Sequence, residues 1–345
     1  MYLSFRFFVI LLANNERGAW IMKDSHGRNI DYMRISITDR CNLRCRYCMP
    51  EDVPFIPHDR ILRFEEILHI CRLAGRLGIR KFKVTGGEPL VRKGCLSFLK
   101  ELKALPDTEQ VTLTTNGVFL KDFLPELKAI GIDGINISLD TLNPDTYRFI
   151  TGRPEFDRVM DGILSCQASG IRTKINTVLL KDVNDHEFWD LIKLARDYPL
   201  DVRFIEIMPI GYGRNFQGYD RSSLLPLLAA RYPDYETTDK TRGNGPAVYV
   251  SIPEFQGYIG FIDAIHGKFC NQCNRIRLTS DGMLKLCLYY NNGINIKELL
   301  RTQAGDDEIL SAMEDAILRK PSEHQFYHAA VEGMEEIRKM SQIGG

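Results

Sequence analysis

The sequence carries no excess charge of either sign: Lys plus Arg number 45 and Asp plus Glu 45 in 345 residues. A chain that coats nucleic acid or an anionic membrane needs a basic excess, so both roles are excluded, and any anion must be held by a local cluster. Long apolar runs are also missing. Phe5-Arg6-Phe7-Phe8-Val9-Ile10-Leu11-Leu12 is too short to span a bilayer and lacks the small-residue cleavage pattern of a secretion signal. Residues 1–21 therefore read as an N-terminal extension with the true start expected at Met22, and a cytoplasmic protein with no membrane segment is expected. Low-complexity tracts are lacking too, and nothing repeats beyond the units described next. What is there is a globular composition, 44% apolar, 26% charged and 10% aromatic, over a length that predicts about two domains at roughly 150 residues each.

From Met33 onward, strand-like runs alternate with helix-like runs. Strands are predicted at residues 33–38, 81–85, 110–114, 134–138, 172–177 and 202–206, and segments with helical spacing such as Ile67, Ile70, Cys71, Ala74 and Leu77 lie between them. This is the parallel α/β pattern. The strands alternate: Ile35, Ile37, Phe82, Val84, Val111, Leu113, Ile135 and Ile137 share one face. Arg34, Lys81, Lys83, Thr114, Asn136, Ser138 and Lys174 share the other. If helices cover the apolar face, the polar face lines a hydrophilic, basic interior suited to an anionic ligand. The fold expected is α/β, an incomplete (β/α)6 TIM-type barrel over 22–210. The sixth strand departs from the pattern, since Arg203 is flanked by Val202 and Phe204 and followed by Ile205, and it reads as an edge. Beyond Met208 the texture turns to Gly, Tyr and Pro, which marks a transition to a C-terminal α+β domain over 211–345. Short strands are predicted there at 248–252, 258–262, 275–279 and 283–288, with helices at 222–230, 297–302 and 307–319.

The cysteines, nine in all, fall into two triplets, Cys41-x3-Cys45-x2-Cys48 and Cys270-x2-Cys273-x13-Cys287, with Cys71, Cys95 and Cys166 left as buried singles. An odd count bunched this way points to metal binding in a reducing compartment rather than to disulfides. The first triplet follows strand one directly, in the loop position where parallel barrels keep their chemistry. A four-iron cluster takes one thiolate per iron, so three cysteines leave one iron open; zinc completed by His58 is the other reading. The second triplet, with His266 as a fourth ligand for zinc, leaves cluster and zinc about evenly matched on spacing.

The run Cys41-Asn42-Leu43-Arg44-Cys45-Arg46-Tyr47-Cys48 resembles the signature of the radical S-adenosylmethionine (SAM) superfamily, and Thr85-Gly86-Gly87-Glu88-Pro89 resembles its SAM-binding glycine motif. That resemblance implies a 4Fe-4S cluster whose open iron chelates SAM, and a one-electron cleavage of SAM inside a shielded barrel. By the same resemblance Tyr47, Gly87, Ser138 and Met208 contact SAM. The run Phe269-Cys270-Asn271-Gln272-Cys273-Asn274-Arg275-Ile276-Arg277-Leu278 is similar to one subfamily, the GTP 3',8-cyclases of molybdenum cofactor biosynthesis. Its second 4Fe-4S cluster binds the guanine base.

This implies a lyase that converts GTP to 3',8-cyclo-7,8-dihydro-GTP, by hydrogen abstraction from C3' and attack on C8. Residues matching GTP-binding positions are Arg34, Lys83, Thr114, Lys174, Arg275, Ile276 and Arg277, and the basic interior adds Lys81 and Arg203. Lys83 stands where the subfamily more often has arginine, which keeps the charge and changes the bonding geometry. Arg277 and the terminal Gly344-Gly345 are expected to serve catalysis. The implied partners are GTP, a downstream cyclic pyranopterin monophosphate synthase and an electron donor such as flavodoxin or ferredoxin, with a homodimer as a candidate assembly. A peptide-modifying radical enzyme and a zinc-stabilised binding module are the alternatives.

Overall fold

The computed structural model describes residues 13–14, 20–51, 53–238, 242–267, 269–326 and 336–344. Six parallel strands form its centre: β1 Tyr32–Ser36, β2 Lys81–Thr85, β3 Gln110–Thr115, β4 Gly134–Ser138, β5 Thr173–Thr177 and β6 Asp201–Ile205. Each lies within two residues of the span its alternation predicts. Val84, Leu113, Ile135, Ile137, Ile175 and Val202 are buried on the outer face. They pack with apolar stripes of the covering helices, such as Ile67, Ile70 and Leu73 of α1 (Phe64–Arg76). Cys71, Cys95 and Cys166 are buried in this layer as expected.

The C-terminal segment extends the same sheet from both ends. In β7 Glu236–Thr238, β8 Val248–Ser251 and β9 Ile259–Ile262, the last pairs parallel with β6. In β10 Arg275–Leu278, β11 Met283–Lys285 and β12 Gly293–Asn295, the first pairs parallel with β1. The order is β12-β11-β10-β1-β2-β3-β4-β5-β6-β9-β8-β7, a partial barrel whose open side is bordered at both margins by C-terminal strands. The expectation of β6 as an edge is corrected here. Val202 and Phe204 face the core, while Arg203 turns inward to Asn136 Oδ1 at 2.8 Å, so β6 obeys the alternation and has neighbours on both sides. The turn at Ser280-Asp281-Gly282 joins β10 to β11, with Gly282 at φ +90°; a side chain there would meet Lys297 at 2.4 Å. No described helix is long and apolar enough to cross a membrane.

Register places the interior charges. Arg277 of β10 lies beside Arg34 of β1, which lies beside Lys83 of β2. With strands spaced about 4.8 Å apart, three cations share roughly 10 Å of one wall.

Candidate functional site

Both cysteine triplets open onto one interior cavity of about 340 Å³, together with Arg34, Lys83, Arg203, Arg275 and Arg277. The first triplet lies on the loop after β1. Arg44 Nη1 donates to the Cys41 and Leu43 carbonyls at 2.7 and 2.8 Å, and Cys48 N–H to the Cys45 carbonyl at 3.0 Å, which fixes the loop's curl. Burial pushes the Cys41 thiol up to about 11, helped by Glu88, and the Cys48 thiol up to about 12, helped by Cys41. Burial raises Cys45 as well, with Cys48 and Cys41 adding to the effect. Three thiols this close resist ionisation unless a cation draws them down.

Gly86 and Gly87 follow β2. A Cβ on Gly87 would sit 2.4 Å from the Arg40 carbonyl oxygen, and one on Gly86 2.7 Å from that of Thr38. The glycines thus let the two loops run backbone to backbone, with Gly87 N–H bonded to the Thr38 carbonyl at 2.7 Å. The buried Glu88 carboxylate accepts from Thr115 Oγ1 at 2.8 Å, Asn116 N–H at 2.6 Å and Leu90 N–H at 3.1 Å. It ties the loops after β2 and β3 together, and burial lifts its pKa to about 7. Tyr47 donates to Asp140 Oδ2 at 2.7 Å; burial raises Asp140 to about 6.

The second triplet faces the first across the cavity. Cys270 and Cys273 bracket a short turn before β10, and Cys287 follows β11. Lys320 Nζ bonds the Arg275 and Leu286 carbonyls, and Arg28 Nη1 the Cys270 carbonyl at 2.8 Å. Burial alone would raise Cys273, yet Lys320, Arg275 and Arg28 bring it down to about 7. Among the described residues no three His, Cys, Asp or Glu side chains converge closely enough to share one ion. His266, the expected fourth ligand of a zinc site, is engaged by Glu206 instead.

The cations are crowded. Burial lowers the pKa of Arg34, Lys83 and Arg277, and each is lowered further by arginines beside it. Arg203 Nε and Arg275 Nε are buried without a hydrogen-bond partner among the described residues. Lys174 sits lower, near the N-terminal ends of the strands, in a small cavity of about 30 Å³ that it shares with Lys83, Arg203 and Arg242. Burial first, then Arg203, bring Lys174 down to about 7. Its ammonium bonds Tyr249 Oη at 2.9 Å and the Arg242 carbonyl. Arg242 is itself clamped on Asp201 at 2.7 Å.

Of the residues singled out by sequence, the six cysteines of the two triplets, Tyr47, Gly87, Ser138, Met208, Arg34, Lys83, Thr114, Arg203, Arg275 and Arg277 all line the large cavity. Lys81 is held at the mouth of β2 by Asp31 at 2.6 Å. Ile276 is 0% exposed in the apolar core, so only its backbone can meet a ligand. Gly344 caps the short helix Met340–Ile343, and its carbonyl accepts from Arg277 Nη1 at 2.9 Å; Gly345 lies outside the described residues. Sequence reasoning missed Asp140, Asn116, Arg28 and Lys320, because a lone polar residue in a loop or at a helix end gives no periodic signal.

Comparison with known proteins agrees with this geometry. Residues 35–195 match the radical SAM superfamily and residues 200–326 the family described as Molybdenum Cofactor Synthesis C. The chain is 43% identical over 325 residues to the GTP 3',8-cyclase of Clostridium perfringens (strain 13 / Type A), covering 94% of this chain and 100% of that one. The chain belongs to the GTP 3',8-cyclase family. Another member, from Moorella thermoacetica (strain ATCC 39073 / JCM 9320), is 43% identical over 327 residues with the same coverage. Among solved structures, Streptococcus suis SuiB bound to S-adenosylmethionine superposes with a TM-score of 0.61 over 82% of this chain and 68% of that one. At 18% identity that likeness speaks to fold alone. The family implies two 4Fe-4S clusters and SAM, and the chemistry of the donor sets, three soft thiols on each side of one cavity, fits them.

Proposed function

We propose that this chain is a radical SAM lyase that holds GTP between two 4Fe-4S clusters and converts it to 3',8-cyclo-7,8-dihydro-GTP, the first step of molybdenum cofactor biosynthesis. The observation that carries the reading is the row Arg277, Arg34 and Lys83, set side by side by strand register, with Arg203 and Arg275, whose Nε groups find no hydrogen-bond partner among the described residues, on the same cavity. No carboxylate is ion-paired with Lys83, Arg275 or Arg277 among the described residues, which supports a wall built for an external polyanion. Arginine supplies bidentate contacts to phosphate and lysine a point charge.

Cys41, Cys45 and Cys48 would hold the first cluster, and Cys270, Cys273 and Cys287 the second. Tyr47, Gly87, Ser138 and Met208 would contact SAM. When bound, SAM and the first cluster supply the one-electron chemistry that removes hydrogen from the ribose. The protein supplies position: binding energy from the triphosphate holds the sugar in register, and enclosure between the partial barrel and the C-terminal strands limits water. Arg277, gripping the Gly344 carbonyl, places the tail against Ser36 and Thr85 at the ends of β1 and β2, where both can bear on substrate. A cyclic pyranopterin monophosphate synthase would consume the product, and a flavodoxin or ferredoxin would deliver electrons. We place the enzyme in the cytoplasm, with a homodimer as the assembly to be tested.

The test is formation of 5'-deoxyadenosine by anaerobically reconstituted protein with SAM and dithionite, run with GTP, with ATP and with no nucleotide. GTP-dependent cleavage with an equal amount of cyclised nucleotide is expected. Equal cleavage in all three, with both clusters intact, would refute the substrate.

A further inference from the structure

Cleavage of SAM in the reading above consumes one electron that GTP does not provide, and that electron must reach the first cysteine loop from outside. The outer side of this loop is basic and aromatic. Arg40, Arg44 and Arg46 interleave with Cys41 and Cys45 in sequence, so the strip of chain that presents thiols inward also carries guanidinium groups. Two large rings stand among them in solvent, Phe55 at 39% exposure and Phe149 at 47%.

The Arg46 guanidinium carbon lies 3.9 Å from the Phe149 ring centre, and its Nε donates to the Phe149 carbonyl at 2.8 Å. Arg40 and Arg44 flank Phe55 at 5.2 and 5.7 Å. Backbone bonds hold the patch together, Arg44 N–H to the Thr151 carbonyl at 2.7 Å and Arg46 N–H to that of Ile150 at 3.0 Å. They fasten the cysteine loop to the end of helix α2 (Pro144–Thr151), which carries Phe149. Glu51 offsets part of the charge, shared between Arg44 at 3.5 Å and Arg153 at 2.8 Å. Arg40 and Arg46 form no ion pair among the described residues.

We infer that this face docks an acidic one-electron donor protein, with Arg40 and Arg46 steering it and Phe149 and Phe55 seating it over the cysteine loop. The inference rests on the reading of the first triplet as a cluster site. The donor loses one electron and the cluster gains one, and no bond forms between the proteins. Arginine and aromatic side chains at the centre of a patch are the usual anchors of an interface, while surface charges set the encounter rate and its salt dependence.

The experiment is stopped-flow bleaching of the reconstituted clusters by an acidic flavodoxin in its hydroquinone form, and separately by dithionite. The unsubstituted protein is compared with Arg40→Glu, Arg46→Glu and Phe149→Ala. With flavodoxin, each charge reversal should slow the second-order rate by about tenfold, and added salt should slow the unsubstituted protein steeply. With dithionite all four should agree within about twofold, the scatter expected of surface changes that leave the core intact. Arg40→Glu, whose side chain makes no hydrogen bond among the described residues, guards against a loop disturbed by Arg46→Glu. Unchanged flavodoxin rates overturn the inference; so does a parallel loss with dithionite. Because cluster bleaching needs no GTP, the outcome is independent of the substrate test.

Discussion

Replacing Gly344 with alanine isolates the tail from the rest of the site. Gly344 has φ +73°, and a Cβ there would sit 2.9 Å from Thr85 Cγ2 and 3.0 Å from Ser36 Cβ. Left-handed backbone costs alanine roughly 1 kcal/mol, and crowding two packed carbons adds about 1–3 kcal/mol. Docking of the tail is therefore weakened by about 2–4 kcal/mol, or roughly 30- to 1,000-fold in its equilibrium. At the last turn the bond opposing release is that from Arg277 to the Gly344 carbonyl, worth about 1.5–3 kcal/mol as a charge-assisted contact. The perturbation is comparable, so residues 340–344 should loosen while Glu336, buried on Lys285, and the barrel stay in place. Hydrogen exchange should then show lost protection confined to the tail. GTP affinity should hold, since Arg277 is freed rather than removed, and turnover should fall more than tenfold. Full turnover with an unprotected tail would refute a role for the tail in the chemistry; full protection would refute the steric argument.

Gly87→Ala forces a Cβ to within 2.4 Å of the Arg40 carbonyl oxygen, so the loops after β1 and β2 must part; SAM affinity by calorimetry should fall at least tenfold, and unchanged affinity would contradict the assigned packing. Cys273→Ala should cut iron and sulfide from about eight to about four per chain while leaving SAM binding in place, as iron analysis would reveal. Asp201→Asn should loosen Arg242, its partner at 2.7 Å, and with it the carbonyl that holds Lys174. A several-fold rise in the GTP KM is expected from that substitution, with little change in kcat.

Much of the barrel was legible because alternation in a strand is a local signal. The six central strands and the basic inner face followed from period-two reading, and the burial of Cys71, Cys95 and Cys166 from the amphipathic spacing of the helices that carry them. What failed was non-local. Nothing in the neighbourhood of Arg203 reveals that β9, more than fifty residues later, adds beside β6. Lys81 shares its face with Lys83, yet Asp31, in the loop before β1, captures it. Ile276 came from family resemblance, whereas the alternation of Arg275, Ile276 and Arg277 on β10 already turned its side chain to the core. Lys320 looks like a solvated helix end and is instead buried on two backbone carbonyls beside the second triplet.

Cations crowded on one wall, with no ion-paired carboxylate at Lys83, Arg275 or Arg277 among the described residues, are a liability to the protein without its ligand, and that liability can be read in its pH dependence. Burial, then Arg203, hold Lys174 down to about 7, and burial with Arg203, Arg34 and Lys174 lowers Lys83 well below its ordinary value. An unfolded lysine titrates near 10.5, so between about pH 7 and 10 the unfolded chain binds more protons than the folded one, and these groups make stability rise with pH. Triphosphate reverses the preference by favouring charged lysines, so GTP affinity should fall as pH rises above 7, with proton uptake on binding measurable in buffers of different ionisation enthalpy. Lys83→Met removes one repelled charge and keeps the apolar stem. The ligand-free chain should melt higher for it, and the stabilisation that saturating GTP gives the unsubstituted enzyme, about 2.7 kcal/mol at a hundredfold excess over Kd, should shrink. Function and stability oppose each other at this position. If Lys83→Met melts lower than the unsubstituted chain, charge repulsion is not what strains this wall.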